Sequence, residues 1–104
     1  MSTRLRQSTS ILPMEFEWDL EKAARNLAKH RVTFTEAASV FGDPLATTVP
    51  DPDHSETEER LLTTGLSRTG RVLIVWHVER PDVIRLIGAR EASRSERRIY
   101  ETGD

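Results

Sequence analysis

The chain has 104 residues, which suits one domain with a modest core. Hydrophobic residues make up 37% and charged residues 31%, with a formal net charge of -2. That excludes bulk attraction to a polyanion and leaves only a local patch for any nucleic-acid site. With no cysteine, disulfides, thiol catalysis and Cys-ligated metals are also excluded, and no apolar run reaches membrane-span length.

The first 13 residues, MSTRLRQSTSILP, are polar with two arginines and no apolar stretch of signal-peptide type. They read as a flexible tail ahead of one domain over 14–104, with Met14 as an alternative start. EFEWD (15–19) alternates polar with aromatic and predicts a short strand with Phe16 and Trp18 inward. Asp19 is placed to cap a helix. Leu20, Ala23, Ala24 and Leu27 repeat at helical spacing and predict its buried stripe. Lys22, Arg25 and Lys29 then lie opposite, and His30 sits on the flank near the end. In TFTE, Thr33 and Glu36 predict a capping box that opens a second helix. Phe34, Ala37, Ala38 and Phe41 are its apolar side, and Gly42 and Pro44 stop it.

LATTV is a candidate strand. PDPDHSETEE is acidic and proline-punctuated, hence a surface loop. Three strand-like runs follow, RLLTTGL, RVLIVWHVE and VIRLIGAR, separated by turns at 67–70 and 81–82. Short connections predict an antiparallel meander. Ser93 and Glu96 in SRSE predict a capping box and a last helix to about Thr102. The order predicts an α+β domain: a small antiparallel sheet, two N-terminal helices packed on one face, and a short C-terminal helix.

Strict alternation places Leu73, Val75, His77 and Glu79 on one face of the second meander strand, and Ile74, Trp76 and Val78 on the other. On the third it places Arg85 and Ala89 opposite Leu86, Gly88 and Arg90. Both strands are apolar on both faces and therefore central. Their polar groups, His77, Glu79, Arg85 and Arg90, then need partners or ligands. The bland reading of each is an internal hydrogen bond or an ordinary salt bridge. On the last helix Arg94, Arg97 and Arg98 share a face, with Ile99 directed to the core and Tyr100 near Arg97. His30, His54 and His77 have no metal-ligand spacing, and the acidic loop lacks the pattern of a calcium site. There is no glycine-rich phosphate loop and no GxSxG elbow. No metal or cofactor is expected.

FEWDLEKAARNLAKHRVTFTEAASVFGDPLA, PDPDHSETEERLLTTGLS, GRVLIVWHVER and IRLIGAREASRSERRIYE, taken in this order, resemble the BrnT-type toxins of bacterial type II toxin–antitoxin modules. The resemblance runs from about Phe16 to Glu101. One departure is Arg31, where the family commonly has glycine after Lys-His. The resemblance implies a RelE-like fold and a cytoplasmic endoribonuclease that arrests translation. It also implies a cognate BrnA-type antitoxin, a ribbon-helix-helix DNA binder that forms a heterotetramer with the toxin and carries the operator contacts.

On that reading the RNA supplies its own 2′-OH nucleophile and no metal is needed. Arg85 and Arg90 are then the phosphate clamps, assisted by Arg97, in a basic corner with Tyr100. His77, Glu79 and Tyr100 are the acid–base candidates. Lys29, His30, Glu59 and Arg60 are the further RNA-binding candidates. The alternative is a non-catalytic module whose basic corner only seats the antitoxin. A DNA-binding domain in its own right is disfavoured, because the second helix is rich in alanine and phenylalanine rather than basic residues.

Overall fold

In the computed structural model the described residues are 15–52 and 59–103, together with the backbone of 4–8. Six strands and three helices follow in the order β1 (Arg4–Ser8), β2 (Glu15–Asp19), α1 (Leu20–His30), α2 (Phe34–Ser39), β3 (Thr47–Pro50), β4 (Arg60–Leu66), β5 (Val72–Arg80), β6 (Val83–Glu91) and α3 (Arg94–Thr102), with a 3-10 turn at Val40–Gly42. Residues 53–58 of the acidic loop lie outside the described residues. So do residues 1–3 and 9–14, whereas Arg4–Ser8, expected within a flexible tail, pair antiparallel with β2 as an edge strand.

The sheet order is β1-β2-β6-β5-β4-β3. The meander β3–β6 is antiparallel, and β5 and β6 are central, both as expected. The sheet is nevertheless mixed rather than wholly antiparallel, because β2 lies parallel to β6 over Glu15–Glu17. Parallel pairing needs a long crossover, and here two helices and three strands separate the partners in sequence.

One face of the sheet carries the core. Phe16 and Trp18 of β2, Leu73 and Val75 of β5, and Ile84, Leu86 and Ala89 of β6 pack against Phe34, Ala37 and Ala38 of α2 and against Val32 and Val40. Gly65 makes room for this packing, since a Cβ there would sit 2.8 Å from Val40 Cγ1 and 2.9 Å from Ala46 Cβ.

The N-terminal end of α1 forms as expected. Asp19 Oδ1 accepts from the backbone N–H groups of Glu21 and Lys22 at 2.8 and 3.1 Å. Its buried side differs from the expected stripe. Leu20 and Leu27 are each 43% exposed; Ala23 packs against the core as expected, and the residue buried deepest is Asn26. The reason is an unfinished strand edge. β2 pairs with β6 only as far as Arg85, and beyond that point the Ala89 backbone needs another partner. Asn26 supplies it: its Nδ2 donates to Ala89 O at 2.9 Å, and Ala89 N–H donates to its Oδ1 at 3.0 Å. A further bond from Nδ2 to Val32 O at 3.0 Å ties down the connection to α2. The C-terminal end of α1 closes at Arg31, which takes the left-handed conformation (φ 58) that glycine would adopt without a Cβ penalty.

The expected capping box of α2 is half present. Thr33 Oγ1 accepts from Glu36 N–H at 3.0 Å. The Glu36 carboxylate reaches instead to the β4–β5 turn, where it accepts from Ser67, Thr69 and Arg71. The Ser93–Glu96 capping box of α3 forms in full. Ile99, expected in the core, is 54% exposed, because α3 leans over the opposite face rather than joining the core.

Candidate functional site

The positions of the candidate residues are decided by one irregularity. The β5–β6 register shifts between Trp76, paired with Gly88, and His77, paired with Leu86, so Ile87 is an extra residue in β6. A bulge reverses the alternation beyond it. Arg85 and Arg90, which strict alternation puts on opposite faces, therefore lie on the same face, the one away from the core.

That face is ordered in cross-strand rows, since directly paired residues share a face. The first row is Arg60 of β4, Val78 of β5 and Arg85 of β6, with Glu17 of β2 next to Arg85. The second is Leu62, Trp76 and Gly88. The third is Thr64, Ile74 and Arg90. Arg60 and Arg85 thus flank Val78, about 10 Å apart across two strand spacings. Neither guanidinium has a hydrogen bond or ion pair to any described residue.

Arg90 is held differently. Its Nη1 and Nη2 bind Glu96 Oε1 and Oε2 at 2.8 and 2.9 Å, and its guanidinium lies 5.5 Å from the Trp76 ring centroid. The Arg90 guanidinium holds the Glu96 carboxyl down to about 2, and Glu96 in return raises Arg90. Arg90 therefore anchors the first turn of α3, a structural task beside the one expected of it.

Tyr100 lies on the same side of the sheet, at the far end of α3. Its hydroxyl donates to Asp43 Oδ2 at 2.5 Å, and that bond pushes Tyr100 up to about 12. Burial opposes ionisation of Asp43, but bonds from Tyr100 and from the backbone N–H groups of Leu66 and Leu45 leave it below its ordinary value. Between the two anchors, α3 borders a groove of about 630 Å³ with Leu62, Thr64 and Ile74 in its floor.

His77 and Glu79 do not join the arginines. Both lie on the core face, across from Leu86 and Ile84. His77 is fully buried, its Nε2 is 2.6 Å from Thr63 Oγ1, and its ring meets Phe41 edge-on at 4.9 Å. Burial pushes it down to about 4, so it is neutral at neutral pH. Glu79 Oε1 is 3.8 Å from the otherwise unpartnered His77 Nδ1. The two acid–base candidates therefore lie on the opposite face of the sheet from Arg85 and Arg90.

Lys29 and His30 end α1. Arg71 fixes that end by donating to Arg31 O at 3.0 Å and lying 3.5 Å from Glu91. It is the end of the sheet that carries Arg90. Glu59 is exposed just before β4, and Arg97 is exposed on α3. Among the described residues, no three of His, Asp and Glu gather to hold a metal. No helix among the described residues is long and apolar enough to cross a membrane. Trp76, which strand alternation placed on this face, was not recognised as a candidate; the available signal was an aromatic residue opposite a glycine.

The fold is a small mixed α+β domain with two arginines in one sheet row that pair with no acid among the described residues. The sequence profile of the ribonuclease toxin BrnT of type II toxin–antitoxin systems matches residues 18–96, and the chain belongs to that family. The crystal structure of the Brucella abortus ribonuclease toxin BrnT is similar in fold, with a TM-score of 0.58. It has 22% sequence identity over 74% of this chain and 94% of that chain. A search of curated protein sequences gave no match.

Proposed function

We propose that the protein is a metal-independent endoribonuclease whose substrate phosphate binds between Arg60 and Arg85. The observation that carries this reading is the row Arg60–Val78–Arg85 on the sheet face away from the core, two half-buried arginines whose guanidinium groups pair with no acid among the described residues, in a chain of the ribonuclease toxin family. Guanidinium groups bind phosphate oxygens in bidentate fashion and stabilise the charge that builds up on a phosphorane. The 2′-OH of the RNA attacks the adjacent phosphorus. The O2′–P bond forms and the P–O5′ bond breaks, leaving a 2′,3′-cyclic phosphate and a 5′-hydroxyl. The proton of the 2′-OH leaves to solvent, and solvent protonates the O5′ leaving group. The strand runs from the Arg60–Arg85 row past Arg90 toward Lys29 and His30, with Arg97 adding positive charge. Glu59 precedes Arg60 at the entrance to the row. Tyr100 orients α3 rather than transferring a proton.

In this reading the activity arrests translation in the cytoplasm. A BrnA-type ribbon-helix-helix antitoxin neutralises it in a heterotetramer and supplies the operator contacts. Residues 14–104 make up the one toxin domain, with Arg4–Ser8 added at the edge of its sheet.

The test is cleavage of RNA by purified protein in EDTA, beside an Arg60→Ala, Arg85→Ala double variant. Cyclic-phosphate ends from the parent and a loss of about two orders of magnitude in the variant are expected. Equal cleavage by both rejects the arginine assignment, and cleavage only with added metal rejects metal independence.

A second reading is a non-catalytic antitoxin-binding module. It is favoured by the structural contacts that occupy Arg90, Tyr100 and His77. Induction without growth arrest supports it; arrest relieved by the antitoxin rejects it.

A further inference from the structure

We propose that Trp76 is the base-stacking platform of the RNA site, a role that rests on the ribonuclease reading above and names its substrate as unpaired RNA. Trp76 stands in the row between the one carrying Arg60 and Arg85 and the one carrying Arg90. Arg85 and Arg90 are four register steps apart along the sheet, about 13 Å. The indole therefore lies between two cationic positions on one face.

The neighbour of Trp76 on β6 is Gly88. Among the described residues a Cβ built on Gly88 would meet only Asn26 Oδ1 within 4 Å, at 3.6 Å, so there is room for a side chain at this position next to Trp76. Gly88 is not among the residues of positive φ, so the backbone does not demand glycine here. Its effect is to leave the indole uncovered on that side.

The two tryptophans contrast. Trp18 is 3% exposed in the core, edge-on to Phe34. Trp76 is half-buried on the opposite face, where no other strand aromatic stands among the described residues. Its indole N–H meets no acceptor among the described residues. Every base has a π face, and stacking on an accessible aromatic tolerates any sequence. A base held in a duplex cannot reach the indole, whereas a splayed single strand can. The Arg90 guanidinium lies over one face of the ring and adds a cation to the same platform, leaving a base the other face.

The test uses the full chain and a randomised single strand of about ten nucleotides with 2′-fluoro sugars, which lacks the nucleophile and is not cleaved. Tryptophan emission of the parent is expected to be quenched on binding, and duplex RNA of equal length to compete weakly. Trp76→Phe keeps most of the affinity. Trp76→Leu loses about tenfold or more. Gly88→Leu, which keeps the indole but covers it, loses a similar factor, so the result does not rest on one variant's folding. If both leucine variants bind like the parent while Arg60→Ala, Arg85→Ala loses binding, the stacking role is overturned and the RNA reading stands. If Trp76→Leu binds RNA normally but no longer binds the antitoxin, Trp76 belongs to a protein interface and the proposal is overturned. A parent protein that binds no RNA overturns both.

Discussion

Asn26 and the backbone of Ala89 form a two-bond pair that continues β6 where β2 ends. The pair holds α1 against the sheet edge and fixes where Lys29 and His30 emerge. Asn26→Ala leaves the Ala89 N–H and C=O buried without partners. We expect it to cost about 3 kcal/mol, measured by denaturant unfolding, with faster amide exchange confined first to α1. A loss under about 1 kcal/mol means that water replaces the amide and that the side chain does not set the helix position.

His77 and Glu36 set two separate acid limits. Burial pushes His77 from 6.5 down to about 4. The Arg71 guanidinium holds Glu36 down from 4.5 to about 2. In each window the unfolded chain binds more protons than the folded one, so stability rises with pH. The contribution of His77 is complete above pH 6.5 and is lost as pH falls toward 4. That of Glu36 is complete above pH 4.5 and is lost as pH falls toward 2. Each is worth about 3 kcal/mol. Unfolding free energies measured across pH should flatten only in the upper window for His77→Leu and only in the lower one for Glu36→Gln. An unchanged upper slope in His77→Leu removes His77 as the cause.

The arginine row predicts a salt dependence. Each phosphate contact on a single strand contributes about 0.7 to the slope of log affinity against log salt. Arg60→Gln and Arg85→Gln should each lower the slope by about that amount. His77→Leu, altered on the core face, should leave it unchanged. Equal slopes in all three variants and the parent place the RNA elsewhere.

Tyr100–Asp43 and Arg90–Glu96 hold α3 over its groove at its two ends. Tyr100→Phe should lower the opening free energy of α3 by about 1.5 kcal/mol. Hydrogen exchange in the helix should then quicken about tenfold while β5 is unaffected. Glu96→Gln should loosen the first turn and also free Arg90 for phosphate, giving tighter RNA binding at low salt. Weaker binding in Glu96→Gln shows instead that the ion pair sets the Arg90 geometry that the RNA needs.

Apart from the edge strand Arg4–Ser8, the sequence by itself determined the elements, because their signals are local. Asp19, Thr33 and Ser93 cap helices through atoms two or three residues away, and apolar runs with turn residues mark the meander strands. It also determined the family, through segments spread over most of the chain.

What depends on partners distant in sequence was decided only in the tertiary structure. Helical spacing marked Leu20 and Leu27 as buried, yet the open edge of β6 turned Asn26 inward, because an unmet backbone N–H and C=O cost more than two half-exposed leucines. Glu36 has the spacing of a capping residue, but the half-buried Arg71 guanidinium, just before β5, outcompetes the N-cap N–H group. The site depended most on the fold. One extra residue at Ile87 brought Arg85 and Arg90 onto the same face as Arg60 and Trp76, and left His77 on the other. A side-chain period of two makes every face assignment on a strand hostage to a single bulge, and a bulge is a property of the pair of strands rather than of either one.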